Sequence, residues 1–277
     1  MSGIANGLSF DIEDWFQVEN LRSAIPRADW ERLPLRVEAS THRILELLQA
    51  ANAKATFFFL GWVAERCPAL VREVAGQGHE IACHGYGHEL VYRMTPASFR
   101  EDIRRAKTVL EETVGASVIG YRAPSFSITP ESTWALDVLR EEGFLYDSSV
   151  FPVSVHDRYG FAGSDTLPYR WPNGLLEIPL AVYKLRRLAL PLAGGGYFRL
   201  FPYAYFRLFL RRINAEGHRF TFYLHPWEFD PQQPRVKVPL WYRFRHYVNL
   251  SGTAGGLARL LSDFAFERMA VAYGVQR

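Results

Sequence analysis

The 277-residue sequence has few cysteines, no long apolar run and almost no charge imbalance. Each shortage removes a class of protein. Two cysteines, Cys67 and Cys83, exclude a disulfide-stapled scaffold, and nothing in their neighbourhoods marks either as an activated thiol. No segment approaches the ~18 uninterrupted apolar residues of a membrane-spanning helix. The first ten residues carry no cation and no apolar core of a leader, so the expectation is a cytoplasmic chain without a transmembrane segment. With 32 Lys and Arg against 29 Asp and Glu, a net charge of +3 gives no argument for nucleic acid as a partner. The basic, aromatic stretch 235–246 is read as a solvated rim whose rings pack inward. Hydrophobic residues make up 48% of the chain, enough for a large core and too many for disorder. The aromatics, 20 Phe, 14 Tyr and 7 Trp, exceed what a core usually needs.

Short β-rich runs alternate with helical patterns through the first two thirds, which points to an α/β fold with a parallel sheet. Residues 7–12, 55–60, 79–83, 117–121, 144–146 and 219–224 read as strands. Residues 36–51, a stretch ending near Ala75, 96–114, 130–142, 202–215 and 254–267 read as helices. The run Ala55 to Leu60, with Phe57, Phe58 and Phe59, has the composition of a strand buried on both faces. Residues 151–200 break the pattern with Pro and Gly and are expected to form an irregular insertion with a small antiparallel excursion. No linker and no internal repeat divides the chain, so the expectation is one decorated barrel over residues 1–277, with 230–277 as a C-terminal segment.

In such folds functional groups gather at the carboxyl ends of strands. Asp11, Glu13 and Asp14 end the first strand, and His84 and His88 follow the third. Arg122, Asp147 and His225 follow later ones. Two histidines four residues apart, on one helical turn, can aim both imidazoles at one metal ion, and a carboxylate completes a three-ligand site with open positions. Three acids within four positions repel one another unless a cation neutralises them. Strand alternation puts Asp11 and Glu13 on one side.

The motifs Leu8-Ser-Phe-Asp-Ile-Glu-Asp14, His84-Gly-Tyr-Gly-His88, Arg122-Ala-Pro-Ser125, Tyr146-Asp-Ser-Ser149 and Tyr223-Leu-His-Pro226 resemble, in order, those of polysaccharide deacetylases of the NodB-homology, carbohydrate esterase 4 type. The run around Trp15, with Trp241-Tyr-Arg-Phe-Arg and Leu250-Ser-Gly-Thr253, is similar to the subgroup found in exosortase (PEP-CTERM) exopolysaccharide loci. The resemblance implies a distorted (β/α) barrel of the NodB type with a C-terminal extension. It also implies a divalent cofactor, zinc first, with Co2+, Ni2+ or Mn2+ as alternatives, and N-deacetylation of GlcNAc-type sugars in a glycan.

Matched position by position, Asp11 is the base, His84 and His88 are metal ligands, Arg122 orients the base, His225 is the acid and Asp147 its electrostatic partner. Ile12 separates what are usually adjacent aspartates, so either Glu13 or Asp14 supplies the third ligand, with Glu13 favoured by the same-side argument. Trp15, Tyr86, Phe126 and Trp227 flank these residues and are expected to stack on sugar rings. Rival readings keep the fold but change the amide to a small cyclic imide or a lipid-linked amino sugar, or remove catalysis and leave a carbohydrate-binding protein.

Overall fold

The computed structural model describes residues 4–153, 160–161, 163–186 and 188–275. The strand β1 (Ala5–Ile12) is buried almost throughout and is paired along both of its edges. It is followed by α1 (Val37–Ala50), β2 (Thr56–Phe59), α2 (Gly61–Arg66), α3 (Pro68–Gly76), β3 (Glu80–Cys83), α4 (Pro96–Val114), β4 (Gly120–Tyr121), α5 (Trp134–Glu141) and β5 (Tyr146–Asp147). The single helix expected up to Ala75 is two, because Pro68 has no N–H to continue α2 and starts α3 instead. All four residues of β2 are buried, as its continuous apolar run predicts. Thr95 and Ser98 form a reciprocal cap at the start of α4, and Gly115 ends it in the left-handed conformation, φ 66°.

Next come β6 (Tyr169–Arg170), β7 (Leu176–Glu177), β8 (Val182–Leu185), β9 (Leu188–Pro191), α6 (Gly195–Leu200), α7 (Tyr203–Ala215), β10 (Thr221–Leu224), α8 (Leu240–Tyr247), α9 (Thr253–Asp263), β11 (Ala265–Glu267) and α10 (Met269–Ala272). The main sheet runs β10-β1-β2-β3-β4-β5-β7-β6, parallel except for β6 on β7. It curls into a half-barrel, and Ala181 N donates to Thr221 O (3.0 Å) beside the β10 edge. The antiparallel excursion expected within 151–200 consists of the β6–β7 pair and the hairpin β8–β9, while residues 154–159, 162 and 187 of that stretch lie outside the described residues.

The expected last helix stops at Asp263. Phe264 is extended, and β11 pairs in parallel with the start of β1, with Phe264 and Phe266 both packing edge-on against Phe220. Burial of two alternate aromatics outweighs the helical periodicity there. No helix among the described residues is long and apolar enough to cross a membrane.

The register fixes the site. Phe10 pairs with Leu224, Ile12 with Phe59, Phe59 with Cys83, Cys83 with Tyr121, and Tyr121 with Asp147. Glu13, His84, Arg122 and His225 therefore leave the sheet at one end, each directly after its strand.

Candidate active site

Glu13, His84 and His88 are buried and offer three ligand atoms that all lie within 4.8 Å of one another. His84 Nδ1 donates to the carbonyl of Arg122 (2.8 Å), which leaves Nε2 as the electron-pair donor. Glu13 Oε2 lies 2.6 Å from His88 Nε2, yet no donor of acceptable hydrogen-bond geometry satisfies it. An orphaned carboxylate oxygen between two imidazoles is the donor set of a borderline divalent ion such as zinc, so these residues fit the implied metal. Burial works to raise the Glu13 pKa, but His88, His225 and His84 more than offset it and hold it at about 2. Burial lowers His84 to about 4.

The two histidines do not sit on a helical turn. Residues 84–90 form a loop in which Tyr86 N and Gly87 N donate to Asp102 (2.7 and 3.3 Å) and His88 takes a left-handed φ of 54°. Gly87 lets the Arg27 guanidinium lie over the loop, since a Cβ there would come within 2.3 Å of it and displace it.

Beside this cluster, Arg122 is fully buried and completely engaged. Its Nη1 donates to Asp11 Oδ1 (2.6 Å) and Ser9 Oγ (2.8 Å), its Nε to Ser148 O (3.1 Å) and its Nη2 to Ser148 Oγ (2.9 Å). A buried ion pair this well satisfied fixes the Asp11 carboxylate in place.

On the other side, His225 Nε2 is 3.6 Å from Glu13 Oε1 and its Nδ1 is 2.7 Å from Glu228 Oε1. Burial would lower the imidazole's pKa, but the hydrogen bond to Glu228 and the charges of Glu13, Glu228 and Asp11 raise it to about 9. Glu228 Oε2 in turn accepts from Arg199 Nε (2.8 Å), and Arg199 is pinned by the carbonyls of His246 (2.9 Å) and Val248 (2.7 Å) at the end of α8. Gly195 allows this approach, because a Cβ there would overlap the Glu228 carboxylate. Trp227 stacks on His225 and on His246 and donates from Nε1 to Glu13 Oε1 (3.1 Å).

Four expected residues are placed elsewhere. Asp14 does not join the metal cluster: its Oδ2 accepts from Arg36 N (2.7 Å) and Val37 N (3.0 Å), where it caps α1, and its Oδ1 from Trp15 N (2.7 Å). Asp147 is not the partner of His225. Its Oδ1 accepts from Ser149 Oγ (2.6 Å), and it faces Glu177 across the β5–β7 register. Burial raises both carboxyls, Asp147 to about 6, and Glu177 also feels the charge of Asp147. Trp15 packs with Phe16 and bonds to Pro34 O, away from the cleft. Tyr86 points to the α2–α4 side, where its hydroxyl donates to Glu65 (2.7 Å) under the Arg105 guanidinium.

The cleft above Asp11, Glu13, His84 and His88 has a volume of about 550 Å³. Phe126 and Trp227 line it, joined by Tyr197, Leu200, Trp241 and Phe244, which no sequence motif singles out. The signal for Glu228 was present in His225-Pro-Trp-Glu228, a carboxylate at the position where a reciprocal cap reaches back.

The fold is a curled half-barrel with acids and histidines converging at its strand ends, and comparison with known proteins shows what it is similar to. Residues 30–144 match the family model described as "Polysaccharide deacetylase", and residues 148–273 match "Domain of unknown function (DUF3473)". The peptidoglycan-N-acetylglucosamine deacetylase of Bacillus cereus is 28% identical over 149 residues, which is 50% of this chain and 53% of that protein. The chain spans about half the length of the curated relatives it matches. A crystal structure from Mycobacterium smegmatis assigned to a polysaccharide deacetylase aligns over 99% of this chain and 91% of its own, with a TM-score of 0.64 at 21% identity. Puue allantoinase aligns over 97% of this chain and 88% of its own, with a TM-score of 0.59 at 20% identity, so it shares the fold. The likeness to polysaccharide deacetylases thus lies in the family-model match over residues 30–144 and in relatives of 28–29% identity over about half of this chain.

Proposed function

We propose that this protein is a divalent-metal-dependent hydrolase that removes N-acetyl groups from GlcNAc-type residues of an exopolysaccharide or its precursor, as the exosortase-locus subgroup motifs suggest. The observation that carries the reading is the Glu13–His84–His88 cluster, flanked on one side by the Asp11–Arg122 pair and on the other by His225. The relatives' deacetylase activity supports it.

An ion held by Glu13, His84 and His88, zinc in the first instance, supplies Lewis acidity to the acetyl carbonyl and to water. Asp11 takes the proton of the attacking water at its carboxylate, and Arg122 holds that carboxylate aimed at the cleft. His225, fixed through Nδ1 by Glu228, presents Nε2 to the departing sugar nitrogen and gives it a proton. Trp227 and Phe126 bound the cleft beside these residues and present apolar surface to a bound sugar.

The test is acetate release from N-acetylated chito-oligosaccharides by metal-loaded protein, with a cyclic imide and a lipid-linked amino sugar assayed in parallel. Acetate from the glycan, abolished by chelator, supports the proposal. Turnover of the cyclic imide alone would transfer the same residues to a different amide, and no turnover of any N-acetylated glycan would refute the glycan assignment.

A further inference from the structure

The rim of the cleft carries a feature that deacetylation does not require. On α8 the inward face is accounted for, since His246 stacks on Trp227 and Tyr247 packs beside it. The outward face is apolar and bare. Leu240 is 81% exposed and Trp241 61%, and Phe244 lies in the open beside Trp241 with the two rings nearly parallel. Leu200 and Phe201, at the end of α6, are exposed as well, and Leu200 shares the cleft with Trp241 and Phe244. Leu200, Trp241 and Phe244 thus border one side of the mouth, with the exposed Phe201 and Leu240 next to them in sequence.

The segment that carries α8 has charge of one sign, while Glu19 from the loop after β1 shares the cleft with Trp241 and Phe244. Residues 231–262 contain no Asp or Glu but do contain Arg235, Lys237, Arg243, Arg245 and Arg259. Among the described residues no carboxylate lies within ion-pair distance of Arg235, Lys237 or Arg243, all of which are exposed. The imbalance extends beyond the rim. The segment 148–273 has 16 Lys and Arg against 8 Asp and Glu, a net of +8, whereas the whole chain carries only +3.

We propose that the α6–α8 rim docks on the surface of an anionic lipid bilayer, with Leu240, Trp241 and Phe244 entering the headgroup region and Arg235, Lys237 and Arg243 meeting the lipid phosphates. A short helix with Leu, Trp and Phe on one face and Arg at its flanks is the pattern of an interfacial helix, with the rings at headgroup depth and the cations at the charged layer. A surface for stacking sugars would place ring faces outermost. Here the most exposed residue is Leu240, which has no ring. Because Leu200, Trp241 and Phe244 also line the cleft, docking turns the mouth toward the lipid surface and favours an amino sugar held there. That consequence rests on the deacetylase reading; the docking itself does not.

The experiment is co-sedimentation of the full chain with phosphatidylcholine vesicles, with and without phosphatidylglycerol, at low and high salt. The expected result is binding to the phosphatidylglycerol vesicles that weakens at least about tenfold without the anionic lipid or in high salt. The double variant Leu240→Ser with Arg243→Glu loses at least about tenfold in vesicle binding while its thermal unfolding is unchanged, since both side chains are exposed. Absence of sedimentation with the anionic vesicles, or undiminished binding by the double variant, overturns the proposal. So does a Trp241→Ser variant with a raised KM for a soluble oligosaccharide when no vesicle binding is seen, which would make the rim a sugar-stacking surface. Vesicle binding by a protein that releases no acetate would leave the docking intact and discard the deacetylase reading alone.

Discussion

Glu228 holds His225 at two points: its Oε1 accepts from the His225 backbone N–H at 3.0 Å and lies 2.7 Å from the ring Nδ1. A side chain gripped at both backbone and ring has one orientation, and here it directs Nε2 at the cleft. General acid catalysis typically contributes about 10²–10⁴-fold, so loss of that orientation is expensive. Glu228→Ala is expected to lower kcat by roughly 10–100-fold with KM little changed, because Glu228 grips His225 and not the sugar. Glu228→Gln, which can still accept through its amide oxygen, recovers part of the loss. Equal effects of Ala and Gln on kcat would show that the grip is irrelevant.

The two adjacent acids of the first motif have different tasks. Glu13→Gln removes the orphaned carboxylate between His84 and His88 and is expected to abolish metal retention after gel filtration while the chain stays folded. Asp14→Ala is expected to retain the metal but to lower stability by about 1 kcal/mol, through loss of the cap on α1. Metal content and urea midpoints measured on the two variants separate these roles; loss of metal in the Asp14 variant alone would reverse the assignment.

Arg122 tests the buried pair. Arg122→Met leaves Asp11 buried without its cation and is expected to cost about 3–5 kcal/mol of stability. Adding Asp11→Asn removes the unpaired charge and should restore part of that stability, but no activity, since the base is gone. Additive losses in the double variant would mean that the two side chains do not act as a pair.

His79 gives a pH dependence outside the site. Its Nδ1 accepts from Ala55 N (3.2 Å), and burial, with Lys54 and Arg268 nearby, lowers its pKa from the usual 6.5 to about 4. As pH falls the unfolded chain takes up this proton first. The contribution of His79 is therefore present above about 6.5 and is lost progressively down to about 4. The buried Asp147 has the opposite sign, since its raised carboxyl takes its proton first in the folded chain. The comparison must therefore be with His79→Asn, whose urea midpoint is expected to fall less than that of the parent between pH 7 and pH 5. Parallel curves would contradict it.

The strands and the main catalytic candidates could be read from the sequence because parallel strands end in register. Once β1, β3, β4 and β10 are recognised, Glu13, His84, Arg122 and His225 fall at one edge without further information. What failed was inference from adjacency. Tyr86 sits between two cleft histidines, but the loop turns through Gly85 at φ 73° and sends the ring to the opposite side. Trp15 follows the acids yet joins Phe16, Trp30 and Trp62 in a ring cluster. Part of the aromatic excess does border the cleft, but Tyr197, Trp241 and Phe244 come from α6 and α8, far along the chain, and no local pattern marks which face of those helices is covered. The partner of His225 is Glu228, three residues downstream and held by Arg199, and not a residue of another strand.

The central claim is that an ion at Glu13, His84 and His88 works with Asp11 and His225 to cleave an N-acetyl group from a glycan. Acetate release from N-acetylated chito-oligosaccharide, measured before chelation, after it and after metal is returned, tests it most directly. The account predicts release, its loss with the metal, and its recovery at one ion per chain. Protein carrying one ion per chain that frees no acetate, or that frees it equally after the metal is stripped, would contradict it.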